Sequence, residues 1–342
     1  MATAPAPPLP AAATPMAFAR AIVAAYRRAG QAPEEALMAV QITPGQLRQS
    51  SGRMTARQME TLSATAMHEL DDEGLGAYGR RLPWGSYGML ARASLGAPTL
   101  GVALKRWCRH HGLLTEDIAL TLNVNGPVAA IVAEERRPIP ADVRELVLAF
   151  LLRNVHGLAC WYIDSRIPLR ETRLPFPAPP HAEAYAHMFP GPQQFGAEHA
   201  ELRFDAAYLQ LPLRRDEKAL AQMLQRALRI TVLQYRRDRL LVPQVRQVLA
   251  AQPEQATSAE AIAAMLHVSP RTLHRQLKEE GASLQQLKDE VRMEMARDLL
   301  YRTGKPVKQV AAAVGFRNEK SFARAFKAWA GVAPGAFRDG SS

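Results

Sequence analysis

Cysteine is scarce in this chain of 342 residues, which contains only Cys108 and Cys160. Two cysteines in a chain of this length favour a reducing compartment and argue against a disulfide framework. Neither belongs to a Cys-x-x-Cys pair, and the nearby His110 does not complete a spacing that is typical of a metal site. We therefore expect buried thiols, with no metal and no other cofactor.

Long apolar runs are also absent. The longest run, residues 146–152, is far shorter than the roughly 20 residues that span a bilayer. Residues 1–15 are mostly Ala, Pro and Thr, and they lack the basic and apolar segments of a signal peptide. Such a composition predicts a disordered tail. Together these two observations predict a cytoplasmic protein.

Positive charge exceeds negative charge. Lys and Arg number 43 against 32 Asp and Glu, which gives a net charge of +11 and a sequence pI of about 10.0. This balance favours a polyanionic partner, whether nucleic acid, ribosome or anionic membrane. Hydrophobic residues make up 48% of the chain and charged residues 22%, which is typical of a globular protein. The length allows about two domains.

Residues 257–338 contain one motif written twice. Residues 262–265 match residues 310–313 at an offset of 48. After one inserted residue, residues 271–278 match residues 320–327 at an offset of 49. An internal repeat of this length indicates two copies of one small structural unit.

Each copy is typical of two helices joined by a tight turn. In the first copy, Thr257 and Glu260 have capping-box spacing, followed by apolar residues at helical period. Ser269 is the expected N-cap of the second helix, because Pro270 follows at the first helical position. Gly281 is the expected end of that helix.

The second copy repeats this order, and a longer helix separates the two. Pro306 opens the first helix of the second copy, Gly315 makes the turn, and Asn318 is the expected N-cap. Between the copies, Ser283 and Gly304 bound the connector helix. Its predicted apolar stripe consists of Leu284, Leu287, Val291, Met295 and Leu299. A rigid connector would hold two recognition helices at a fixed separation, and successive major-groove faces are about 34 Å apart.

This stretch resembles the DNA-binding domain of AraC/XylS-family transcriptional regulators. The resemblance rests on residues 262–275, 310–316 and 321–327, and on the Gly-x-x-Pro at residues 331–334. In that family the second helix of each unit reads bases. The resemblance therefore implies base contacts by Arg271, Thr272, His274 and Arg275 in the first unit, and by Glu319, Lys320, Ser321 and Arg324 in the second.

Residue chemistry suggests different roles within this set. Arg275 and Arg324 are equivalent in the repeat, and arginine can bond guanine O6 and N7 in a bidentate way, which favours base contact over a solvated charge. His274 corresponds to an alanine in the second copy, so a steric role stays open. Lys278 and Lys327 are predicted to contact phosphate rather than bases.

Residues 16–236 are predicted to form an α+β domain. Helical periodicity continues to about residue 111, with a loop at residues 83–88. Asn125-Gly126 is the strongest short hairpin signal, and residues 143–159 predict a long apolar helix. The predicted strands of a small antiparallel sheet cover residues 118–124, 128–133, 172–176 and 202–204.

Residues 82–90, 99–101 and 176–213 resemble the N-terminal domain of one branch of AraC-type regulators. This domain is labelled arabinose-binding-like, and the resemblance implies a sensing or dimerisation unit. The helical opening departs from the family's sugar-binding jelly roll, so the label gives no ground for predicting arabinose. A small, partly apolar effector is expected. Three residues could line its pocket or be structural histidines: His156, His181 and His187.

Residues 217–235 predict one helix that joins the two halves. Its apolar stripe consists of Leu220, Leu224, Leu228 and Val232. The stripe either packs within its own domain or forms a dimer contact, since two-fold proteins read two sites in DNA. Residues 238–241 are the expected linker, and residues 237–342 the DNA-binding domain.

The sequence thus predicts a mainly α protein. An α+β sensing or dimerisation domain precedes an all-α domain with two helix-turn-helix units joined by a long connector helix. Expected partners are operator DNA, RNA polymerase, a small-molecule effector and a second copy of the chain, with no membrane. Two alternatives stay open: a ligand-independent architectural protein, and a repair-type enzyme fused to a DNA-binding module. No Walker, Rossmann or Gly-x-Ser-x-Gly pattern supports an enzyme.

Overall fold

The computed structural model describes residues 13–235, 240–256, 258–280 and 282–339. The chain divides between residues 238 and 239 into two compact units, the N-terminal and C-terminal units. Thr257, Gly281 and the first half of the expected linker, residues 238 and 239, lie outside the described residues. None of the helices in the described ranges combines the length and apolar character that a bilayer crossing requires.

The N-terminal unit opens with helices and two very short strands. In chain order these elements are β1 (Thr14–Pro15), α1 (Met16–Arg28), α2 (Glu34–Ala39), α3 (Pro44–Arg48), β2 (Arg53–Met54), α4 (Ala56–Glu69), α5 (Ser86–Leu95) and α6 (Leu100–Leu114). Strands β1 and β2 pair antiparallel, so Thr14 and Pro15 belong to the fold rather than to the predicted tail. Helix α5 begins inside the predicted loop, directly after the left-handed Gly85.

The rest of the N-terminal unit mixes strands and helices. It contains β3 (Ile118–Asn125), β4 (Val128–Glu135), α7 (Ala141–Tyr162), β5 (Leu169–Leu174), α8 (Tyr185–Met188), β6 (Gln193–Phe195), β7 (Ala200–Asp205), α9 (Glu217–Leu224) and α10 (Leu228–Val232). Short 3₁₀ turns at Ala182–Ala184 and Ala206–Gln210 complete it. Helix α7 contacts α1, α6 and α10 and is buried on almost every side, which explains its long apolar run.

Strands β3 to β7 form one sheet in the order β3-β4-β7-β5-β6. The predicted antiparallel arrangement is wrong at one edge, because β5 and β6 are parallel. A parallel pair needs a long crossover connection, which here contains the 3₁₀ turn and α8. Strand β6 is only three residues long and shows no alternation, so the sequence carries no signal for it.

The predicted hairpin is confirmed, but its loop lies one residue later. Asn125 pairs with Val128, which makes Gly126-Pro127 the two-residue loop. Gly126 has a φ of 54°. A left-handed glycine followed by the fixed negative φ of proline suits a hairpin turn in which only the first central residue has positive φ. Pro127 also has no N–H with which to pair in the ladder.

The single helix predicted for residues 217–235 is also wrong. The chain bends after α9, and Arg226 in the bend donates to both carboxylate oxygens of Glu60 on α4, at 2.8 and 2.7 Å. Helix α10 then packs against α4 and α7. Leu220 and Thr231 are buried within the N-terminal unit. These contacts favour packing within the domain over a dimer contact for this segment.

Every described element of the C-terminal unit is a helix. They are α11 (Leu241–Ala251), α12 (Ala259–Met265), α13 (Pro270–Glu279), α14 (Leu284–Arg302), α15 (Val307–Ala313), α16 (Glu319–Ala330) and α17 (Pro334–Asp339). One hydrophobic core joins α11, α12 and α13 to the first half of α14. A second core joins the last half of α14 to α15, α16 and α17.

Helix α14 serves both cores with different faces. Leu287 and Val291 belong to the first core, whereas Ala296 and Leu300 belong to the second, and Met295 packs against both. The step of five residues from Val291 to Ala296 rotates the buried face by about 140°. The last residue of the predicted stripe, Leu299, is only partly buried and packs against the second core, in which Ala296 and Leu300 are the buried residues of this helix. At about 1.5 Å per residue, the 19-residue helix is about 28 Å long.

Candidate nucleic-acid interface

The first helix of each repeat ends in the same left-handed turn. His267 has a φ of 54°, and Gly315, 48 positions later, has a φ of 79°. In each copy the next N–H donates to the carbonyl five residues earlier, at 2.9 Å. This pair of features is the Schellman arrangement, which satisfies carbonyls at a helix end. Both copies therefore turn toward their second helix by the same local geometry.

The second helix of each repeat begins with a side-chain cap. The Thr272 N–H donates to the Ser269 hydroxyl at 3.1 Å, and the Ser321 N–H donates to the Asn318 side-chain oxygen at 2.8 Å. Both predicted N-caps are confirmed. The caps are 49 positions apart, so the inserted residue lies in the second turn. For α12, the cap is Ser258, whose hydroxyl accepts from the Ala261 N–H at 3.1 Å.

Each second helix has one fully buried face and one exposed face. Leu273 and Leu277 of α13 are buried in the first core, and Phe322 and Phe326 of α16 are buried in the second. The exposed residues on these helices include Arg271, His274, Arg275, Lys278, Glu319, Lys320, Arg324 and Lys327. Because residues three and four apart share a helix face, burying the apolar pairs turns these polar side chains outward.

The two hydroxyl residues are less accessible. Thr272 and Ser321 are half-buried, and both supply the capping N–H of their helix. The Thr272 hydroxyl also lies 2.8 Å from the Ser269 hydroxyl, with which it shares a hydrogen bond. A base would have to share or displace this bond. The sequence resemblance implies base contacts by these hydroxyls and by the arginines alike. In the structure the two hydroxyl residues are less exposed than the arginines, and the Thr272 hydroxyl already has a hydrogen-bond partner.

The second turn is fastened to the rest of the unit by contacts that the sequence did not indicate. The Arg292 guanidinium on α14 donates to the Gly315 carbonyl at 3.4 Å and lies 5.0 Å from the centroid of the Phe316 ring. A Cβ on Gly315 would lie only 2.6 Å from the Pro253 carbonyl oxygen. The loop after α11 thus lies against the turn between α15 and α16.

Two parts of the chain match known protein domains. Residues 30–213 match the arabinose-binding domain of AraC transcription regulators, and residues 262–340 match a helix-turn-helix domain. The chain belongs to the AraC family of transcription regulators. As a member of that family it is a helix-turn-helix, DNA-binding regulator of transcription, and its N-terminal domain is arabinose-binding-like.

Curated members of the AraC family resemble this chain over both units. An ornithine utilization regulator of Pseudomonas aeruginosa is 27% identical over 328 residues, which cover 95% of this chain and 96% of that protein. An uncharacterized HTH-type transcriptional regulator of Mycobacterium tuberculosis is 28% identical over 282 residues, covering 77% and 78%. The crystal structure of the regulator CdpR from Pseudomonas aeruginosa aligns at 20% identity with 92% of this chain and 98% of its own, with a TM-score of 0.35.

The cysteines of this AraC-family chain lack the surroundings of a reactive thiol. Cys108 and Cys160 are both buried. Burial raises the pKa of each thiol to about 12. A nucleophilic cysteine needs the opposite shift, toward the thiolate. Within the described ranges, no group of three or more His, Cys, Asp or Glu side chains is arranged to hold a metal ion.

The histidines considered for an effector pocket have other positions. His156 Nε2 lies 2.8 Å from the Ile167 carbonyl, and burial lowers the pKa of this histidine to about 4. His181 Nε2 lies 2.7 Å from a carboxylate oxygen of Glu145. Neither these two nor His187 lines the cavities described below. Of the two roles that the sequence leaves open, these positions favour structural histidines for His156 and His181.

A cavity of about 430 Å³ in the N-terminal unit is the better candidate for an effector site. It lies among α4, the start of α5, and the bend between α9 and α10. We call it the outer cavity, and its lining includes Ala64, Met67, Trp84, Leu224 and Leu228. The whole lining comes from five separate segments, residues 60–67, 73, 84–88, 154 and 224–231, so no sequence motif indicates the cavity.

Proposed function

We propose that this regulator reads two neighbouring segments of the DNA major groove with α13 and α16. The proposed base contacts are Arg271, Thr272, His274 and Arg275 from α13, and Glu319, Lys320, Ser321 and Arg324 from α16. Lys278 and Lys327 are proposed to contact phosphate. Glu319 either accepts from cytosine N4 or favours its helix N-terminus.

The repeated cap and turn carry this proposal. They give α13 and α16 the same local geometry, and the fixed burial of one face leaves the cationic face exposed in both. Within the described part of the chain, no carboxylate forms an ion pair with Arg271, Lys320 or Arg324. These cations are therefore available to an anionic or hydrogen-bonding partner.

Selection of bound sequences from a random DNA pool tests the proposal. The full-length protein should enrich two short clusters of specified bases, spaced by about one helical turn. Arg324→Ala should relax one cluster and Arg275→Ala the other. A pool in which both variants enrich the same sequence as the parent protein would contradict base reading by these helices.

The N-terminal unit is proposed to sense a small molecule and to control dimerisation. The outer cavity supports sensing, and helix α10, which lines it, lies shortly before the DNA-binding unit in the chain. RNA polymerase and a second copy of the chain are the proposed protein partners in the cytoplasm. Footprints of the protein on selected DNA with and without cell extract test this part, because an architectural protein would give identical footprints.

A further inference from the structure

The outer cavity adjoins a second cavity deeper in the N-terminal unit. This inner cavity has a volume of about 60 Å³ and lies among α5, α6 and α7. Four residues line both cavities: Met67, Glu73, Tyr87 and Asn154. A water occupies about 30 Å³ of the liquid, so the inner cavity has room for a polar group of a few atoms.

Three polar atoms at the inner cavity have no partner. The Tyr87 hydroxyl, Trp107 Nε1 and His111 Nδ1 are buried, and none accepts or donates a hydrogen bond among the described residues. Trp107 and His111 are only 2% and 3% exposed. Buried polar groups in folded proteins are nearly always paired, so three unpaired groups among the residues lining one small cavity call for a partner outside the chain, a ligand or water.

The charges around the inner cavity restrict that ligand. Among its described lining residues there is a carboxylate, Glu73, and there is no Lys or Arg. Glu73 accepts the Gly85 and Tyr87 N–H groups at 2.8 and 2.7 Å. An anionic head would be buried against this carboxylate without a counter-charge. An anion is therefore disfavoured here.

A cationic head is disfavoured as well, because both Glu73 oxygens already accept backbone N–H groups and Trp107 offers no acceptor. Trp107 Nε1 can only donate a hydrogen bond. A cationic head would bring further donors against it. Burial lowers the pKa of His111 to about 4, so its ring is neutral and can donate or accept. The group that satisfies all three side chains is an uncharged acceptor.

The outer cavity suits an apolar body. Its lining is dominated by carbon, and the side chains include Ala64, Leu224 and Leu228. Of its three charged residues, Glu60 and Arg226 already pair with each other through two hydrogen bonds, and Glu73 accepts two backbone N–H groups. That pair leaves the apolar lining as the main source of ligand affinity.

We propose that the two cavities together form the effector site, and that its ligand is uncharged, with an apolar body and a hydrogen-bond-accepting head such as a ketone or amide. The head lies in the inner cavity and accepts from Tyr87 and Trp107. This assignment rests on the proposed sensing function and names its site and ligand class.

A matched series of probes tests the ligand class on the full-length protein. The probes 2-nonanone, nonanoate and nonylamine share a chain length and differ in the charge of the head. Binding is followed by tryptophan fluorescence, because Trp84 and Trp107 line the cavities. We expect the ketone to bind at least tenfold more tightly than the other two. Equal or tighter binding of nonanoate or nonylamine, or no binding of the ketone, would overturn the assignment.

Tyr87→Phe tests the head contact. We expect about three- to tenfold weaker ketone binding, with an unchanged or higher thermal midpoint for the unliganded protein, because an unpaired hydroxyl has been removed. Tyr185→Phe is the matched control: its hydroxyl donates to Glu145 at 2.8 Å and does not line either cavity. It should lower the midpoint and leave ketone binding unchanged.

The reverse result would give Tyr87 a merely structural role. In that case Tyr87→Phe would lower the midpoint and leave ketone affinity unchanged, as when the cavities hold water only.

A DNA-binding assay separates failure of this site from failure of the proposed function. If cell extract alters the DNA affinity of the parent protein and of Tyr87→Phe equally, sensing stands and this site is wrong. If extract alters neither, while the probes bind as expected, the sensing function is wrong and the assignment of the ligand site stands.

Discussion

The two helix-turn-helix units have the same backbone geometry at the turn and the N-cap, but they differ in the turn residue and in the residues that pack in their cores. Both use a left-handed turn residue and a side-chain N-cap, yet the first unit places His267 in that turn and the second places Gly315. The first core is aliphatic on α13, with Leu273 and Leu277, and the second is aromatic on α16. The difference shows that cap and turn set the shape of the unit, whereas packing partners decide which residue types are tolerated.

The turn position should give the largest difference between the copies. Gly315→Ala should destabilise the C-terminal unit by about 2–4 kcal/mol, because the left-handed φ disfavours a side chain and the new Cβ would press on the Pro253 carbonyl at 2.6 Å. His267→Gly should instead stabilise by up to about 1 kcal/mol by relieving the same conformation. Denaturant unfolding measures both. If the stability lost by Gly315→Ala is no larger than the stability gained by His267→Gly, the Pro253 contact contributes nothing beyond the left-handed conformation.

Substitution of one arginine in each unit compares the two units by their contributions to DNA binding. Arg275→Ala and Arg324→Ala should each weaken binding to the selected sequence by about 1–3 kcal/mol and relax one base position. The matched controls, Lys278→Ala and Lys327→Ala, should weaken specific and random DNA equally and lower the salt slope by about 1. Binding is measured on both DNAs at several salt concentrations. If the arginine variants also lose the same free energy on both DNAs, they contact only phosphate.

The caps should give the smallest effect. Ser269→Ala and Asn318→Ala should each cost about 1 kcal/mol of stability, since each removes the acceptor for one N–H of its helix. Only Ser269→Ala also releases the Thr272 hydroxyl. It should therefore change base preference at the Thr272 position, whereas Asn318→Ala should leave the preference of its unit unchanged. Binding selections with both variants check this, and identical preferences would place Thr272 outside the recognition surface.

Sequence patterns predicted best where the governing interactions are local. Ser269 and Asn318 were recognisable as caps because a cap bonds an N–H only three residues ahead. The hairpin signal is local in the same way, but Asn125-Gly126 places the loop one residue too early, because Pro127 takes the second loop position and Asn125 pairs with Val128. The break between α9 and α10 has no local signal, since Arg226 in the bend pairs with Glu60, which lies 166 residues away in the chain.

The amino-acid sequence alone determined the doubled motif, its turns, and the N-caps and cationic faces of α13 and α16. These features follow from helical period and from hydrogen bonds between near neighbours. Only the tertiary structure brought Glu73, Tyr87, Trp107 and His111 around one inner cavity, and only it placed Pro253 against Gly315. Such contacts join segments that are distant in the sequence, and the periodicity of the sequence does not indicate which distant segments pack together.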